Sequence, residues 1–121
     1  MKPYRKLILW QKAHEFVLEA YKISCGFPNY EIYGITSQLR RAAFSISLNI
    51  VEGQARVSTK EFLRFLHISR GSVQECDCLI LTAFDLKYIS KSEYEKLEQM
   101  LSQISAILNR FIQTLNLKLK K

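Results

Sequence analysis

Two prolines and four glycines are spread over 121 residues, so few positions force the chain to turn. A β-rich fold needs denser punctuation, and long uninterrupted helices are the simplest alternative. Long apolar runs are missing as well. The stretch behind the basic N-terminal residues Lys2, Arg5 and Lys6 is Leu7 to Trp10, too short for a signal-peptide core or a bilayer span. A cytoplasmic protein with no membrane partner is expected. Cysteine is sparse and odd in number: Cys25, Cys76 and Cys78 cannot all pair within one chain, and reduced thiols fit best. Acidic residues are outnumbered eleven to eighteen, which leaves a formal net charge of +7. Basicity of this kind favours polyanionic partners without naming one.

The chain has the length of one domain, and 48% apolar with 24% charged residues is the composition of a folded globular protein. Hydrophobic spacing predicts four helices, at about 7–25, 34–52, 59–87 and 91–117. In the first, Trp10, Ala13, Val17, Tyr21 and Ser24 share a face. Gly26 is expected to supply a left-handed cap ahead of Pro28, and Gly53 to stop the second helix in the same way. Ser58 with Glu61 and Ser90 with Glu93 read as capping boxes that open the third and fourth helices. Leu97, Leu101, Ile104, Leu108, Phe111 and Leu115 step by fours and threes, the pattern of a narrow coiled-coil-like seam. Short connections between such helices imply an all-α fold, a single antiparallel up-down-up-down four-helix bundle.

Two surfaces stand out. On the second helix Ile35, Leu39, Ala42, Ile46 and Ile50 face the core, yet Phe44, Leu48 and Val51 form another apolar stripe on the opposite side. No helix of a four-helix bundle is surrounded, so this stripe is expected to be a subunit interface. The third helix turns Phe62, Leu66, Ser69, Val73, Cys76, Ile80 and Ala83 inward and Lys60, Arg64, His67 and Gly71 outward. A basic stripe opposite a core is usually a solvated face, but it can also track phosphates. A glycine inside a helix costs about 1 kcal/mol relative to alanine and is often kept where another backbone comes close, so Gly71 joins the expected interface.

Residues that carry chemistry are few. His14, a core-edge residue on this reading, and His67 lie on different helices, and neither completes a Glu-x-x-His metal motif, because Gln11 and Arg64 hold the required positions. Cys76 and Cys78 point about 160° apart on a helix and cannot chelate one ion together; Cys76 is read as core filler and Cys78 as an exposed thiol. No glycine-rich phosphate loop, nucleophile elbow or metalloprotease motif occurs. A structural polar network of Arg41, Asn49, Glu52, Ser72 and Glu75 is expected, with Arg41 as the cation beside a partly buried acid. No enzyme activity, metal or cofactor is expected.

Certain residue groups carry a resemblance. They are Trp10-Gln11-Lys12-Ala13, Phe27-Pro28, Tyr33-Gly34-Ile35, Gln38-Leu39-Arg40-Arg41-Ala42-Ala43, Asn49-Ile50-Val51-Glu52-Gly53 and Gly71-Ser72-Val73-Gln74-Glu75. Together they resemble the bacterial 23S rRNA intervening-sequence protein family, also called four helix bundle proteins. That resemblance implies a four-helix bundle assembling into a ring-like homopentamer, and it assigns no biochemical activity. Lys6, Val51 and Lys87 depart from the family pattern, where an acidic residue, an alanine and a glycine are usual. The expected function is that of a self-assembling, non-enzymatic bundle binding structured RNA or other nucleic acid. Arg40, Arg56, Lys60, Arg64, Lys118, Lys120 and Lys121 are its candidate contacts. A protein-interaction scaffold with no nucleic-acid contact is the alternative.

Overall fold

The computed structural model describes residues 1–121 and contains four α-helices. They are α1 (Ile8–Ser24), α2 (Ile35–Gln54), α3 (Thr59–Asp85) and α4 (Lys91–Leu119), with short 3-10 helices at Pro3–Lys6 and Asn29–Glu31. All four expected helices are present, with ends that differ by a residue or two. There is no strand, and no helix is long and apolar enough to cross a membrane.

Local chemistry explains most ends, though not always as expected. Ser90 and Glu93 form a complete capping box, the Ser90 N–H donating to Glu93 Oε1 at 2.8 Å and the Glu93 N–H to Ser90 Oγ at 3.1 Å. At α3 only half of the device forms. The Glu61 N–H donates to Ser58 Oγ, but the Glu61 carboxylate turns to Arg64, 3.2 Å away, and leaves the Ser58 N–H alone. Neither Gly26 nor Gly53 is a left-handed cap, since no glycine has a positive φ. Gly53 instead lies buried inside α2, where a Cβ would sit 2.8 Å from the Phe62 ring and 2.9 Å from Phe65 Cβ. It is there to let α3 come close. The left-handed cap belongs to Lys87, at φ 66°. With the Tyr88 N–H on the Ala83 carbonyl and the Lys87 N–H on that of Phe84, α3 ends in a full Schellman motif.

Each helix runs antiparallel to the ones it touches. The start of α3 meets the end of α4 through Phe62 and Phe111, and its end meets the start of α4 through Phe84 and Tyr94. Arg40 near the start of α2 bonds Ser24 at the end of α1, and Lys96 near the start of α4 reaches Glu19 late in α1. α1 closes the ring of helices against α4, leaving α1 and α3, and α2 and α4, as diagonals. One continuous core fills the centre, with Phe16, Leu39, Ile46, Leu66, Ile80 and Ile104 fully enclosed. Along α1 the buried stripe is Leu9, Ala13, Phe16, Val17, Ala20, Ile23 and Ser24. It is rotated from the expected face, so that Trp10 is half-buried and Tyr21 exposed. On α4, Ile112 takes the buried place expected for Phe111, which flanks the core against Phe62. The closest packing is between α2 and α3, where small residues face each other. Ser69 donates to the Ile46 carbonyl across this seam at 2.8 Å, satisfying a hydroxyl that would otherwise be stranded in the core.

Candidate nucleic-acid interface and assembly face

Antiparallel folding brings distant basic residues to one end of the bundle. Residues 1–16, the α2–α3 corner 50–66 and the C-terminal 106–121 come together at one end. That end holds eleven of the eighteen Lys and Arg and three of the eleven Asp and Glu, a net +8. The rest of the bundle holds the remaining seven bases and eight acids, a net −1. A total of +7 is therefore a charge gradient along the bundle axis.

Arg56 and Arg64 bracket one ring at the basic end. Their guanidinium carbons lie 4.8 and 4.4 Å from the centroid of Phe65, itself buried. Each also reaches an acid, Glu52 at 3.4 Å and Glu61 at 3.2 Å. Ion pairs this exposed contribute roughly 0–1 kcal/mol, so they orient the guanidinium groups without consuming them. Lys60, Lys118, Lys120 and Lys121 are exposed and form no ion pair with an acidic side chain. Lys2, Arg5, Lys6, Lys12 and Arg110 belong to the same end and were missing from the expected set. The signal for the first four was only the summed charge of the N-terminal segment, and Arg110, inside α4, had none. Arg40 does not belong there. It lies at the opposite end, stacked 4.7 Å over Tyr21 and donating to Ser24 Oγ at 2.9 Å, which makes it a brace between α1 and α2.

The outer face of α2 is apolar and uncovered. Phe44 is 40% and Leu48 53% exposed, with Val51 half-buried beside them. Tyr21, Arg40, Arg41 and Glu52 complete the rim of an open groove of about 740 Å³ over Phe44 and Leu48. Nothing in the same polypeptide fills it. Gly71 on α3 also faces open space, with no atom within 4 Å of where its Cβ would be.

Of the expected polar network, Asn49 and Ser72 are joined through Ser45, which was not assigned to it. Ser45 and Ser72 hydroxyls lie 2.6 Å apart, and Asn49 Nδ2 donates to the Ser45 hydroxyl and carbonyl. Arg41, Glu52 and Glu75 stand outside it. Arg41 and Glu75, both exposed, line a common hollow of about 150 Å³ without an ion pair. A second cluster closes the other end: Tyr88 donates to Glu31 Oε2 at 2.8 Å, and its hydroxyl lies 3.3 Å from that of Tyr30. These bonds, to Tyr30 and to Glu31, push the Tyr88 phenol above its usual range. The other Glu31 oxygen caps the first N–H of α2, in space that Gly34 leaves free.

Cys76 is enclosed, and burial, reinforced by the charge of Glu75, pushes its thiol up to about 12, so it stays a protonated core atom. Cys78 is exposed, as expected. His14 is exposed rather than at the core edge, and its ring lies flat on Trp10, 4.7 Å between centroids. No three His, Cys, Asp or Glu side chains come together in a way that could hold a metal ion.

The model of the family described as 23S rRNA-intervening sequence protein matches residues 5–110. No curated protein matches the chain. Among solved structures, a protein of unknown function from the S23 ribosomal protein family of Bacteroides thetaiotaomicron superposes with a TM-score of 0.81. It is 22% identical, over 87% of this chain and 98% of that one, a likeness of fold. With four helices in this order and the family pattern running from before α1 into α4, the chain belongs to the 23S rRNA-intervening sequence protein family.

Proposed function

We propose that this protein is a self-associating, non-catalytic bundle that binds structured nucleic acid, RNA in the first instance, through its basic end. The observation that carries the reading is the gradient of charge along the axis, +8 at one end against −1 over the rest of the bundle. Phosphate backbones bind such a patch by releasing condensed counterions, which needs no base-reading motif. Self-association through Phe44, Leu48 and Val51 would repeat the basic end around a ring, and multiplying one weak patch in this way raises avidity.

Titrating a labelled structured RNA at low and moderate salt tests the proposal. Affinity should fall about a thousandfold between roughly 50 and 200 mM salt if about six phosphates are neutralised. Replacing Lys118 and Lys120 by glutamate should weaken binding at every sequence tried, whereas the same change at Lys22 and Lys91, at the opposite end, should not. Absence of binding by the assembled protein at the lower salt would refute it.

A further inference from the structure

We infer that Tyr4, Trp10 and His14 form a stacking site for one unpaired base of a bound nucleic acid. The inference rests on the reading of the basic end as a phosphate-binding surface, and adds to it a preference for single-stranded segments.

The site is built locally. The 3-10 helix Pro3–Lys6 packs on α1 and on α2, and Gln11 Nε2 donates to the Arg5 carbonyl at 2.8 Å, pinning the turn to the helix. This places the Tyr4 ring edge-on to Trp10, 5.0 Å between centroids at 79°. One helical turn beyond Trp10, the imidazole of His14 lies almost parallel to the indole, at 14°. Trp10 packs partly against the core, but His14 is exposed and bonds to nothing, so its role is not explained by the fold. Its outer side extends the indole stack toward solvent.

Bases stack on such surfaces whatever their identity, because each has a π-face. A base inside a duplex has both faces covered by its neighbours, so an unpaired one is the ligand this geometry suits. Lys2, Arg5 and Lys6 border Tyr4 in the chain and supply charge for the adjoining phosphates; the Arg5 guanidinium already lies against Tyr4, 5.5 Å from its centroid. Beside His14 stands Glu15, which pairs with Lys12 at 3.7 Å. Its carboxylate opposes a phosphate at that spot but not an uncharged base.

Trp10 is the only tryptophan, so its emission reports on the site directly. An unstructured single-stranded RNA and a fully paired duplex of equal charge would be titrated at low salt, following both the anisotropy of the labelled RNA and Trp10 emission. Both should bind, and only the single strand should quench Trp10. His14→Ala should weaken the single strand about tenfold and leave the duplex unchanged, while His14→Phe restores the loss. If both RNAs bind but Trp10 emission is unmoved, or His14→Ala affects both or neither, the stacking site is wrong and the basic end stands. If neither RNA binds, both readings fall together.

Discussion

Lys87 adopts φ 66°, the only residue in the chain with a positive φ, and it sits where a Schellman motif takes glycine. An L side chain there brings its Cβ against its own carbonyl, a cost of about 1 kcal/mol. Lys87→Gly should therefore raise unfolding stability by about that much, read as a shift in the urea midpoint at unchanged slope; an unchanged or lowered midpoint would contradict the strain. Residues whose roles depend on neighbours three or four positions away were mostly legible. Ser90 and Glu93 are such a pair. Glu61 was not, because Arg64, equally close in sequence, offers its carboxylate a charged partner in place of a backbone N–H. Tyr21 was misplaced because its spacing fits the core stripe, whereas its ring is held outside it by Phe44 and Arg40.

Gly53, expected to stop α2, and Gly71, expected to admit another backbone inside α3, behave differently in the packed elements. Gly53 has no room for a methyl, since the Phe62 and Phe65 side chains of α3 occupy it. Gly71 has nothing against it, so within one protomer it only weakens α3. Gly71→Ala should stabilise the dilute, dissociated protomer by about 1 kcal/mol in thermal or chemical unfolding. If a second chain's backbone approaches at this point, the same change should shift sedimentation toward smaller species. A variant that melts no later than its parent would show that α3 gains nothing from the methyl. The seam between α2 and α3 was legible as helix faces and not as a network. Ser45, which links Asn49 to Ser72, is half-buried on the edge of a face already assigned to other residues.

For the molecule as a whole, the uncovered α2 groove and the basic end are separate features with separate tests. Replacing Phe44 and Leu48 by glutamate should give smaller particles in light scattering while helical circular dichroism persists, since neither side chain belongs to the enclosed core. A parent protein that is already monomeric at micromolar concentration would remove the proposed interface. Helix positions, the seam of α4 except for Phe111, and the second apolar stripe of α2 followed from the sequence alone, because a 3.6-residue period and a capping pair are properties of one short segment. The charge gradient did not. Lys2, Arg64 and Lys120 lie far apart along the chain, and only antiparallel packing of the four helices brings them to one end. The same packing sends Arg40 to the other. Nor could periodicity reveal that Tyr4 folds back on Trp10 beneath His14, since that depends on a 3-10 turn held by Gln11. Local periodicity decided the elements; the order in which they pack, set by burial of their apolar faces, decided which residues meet.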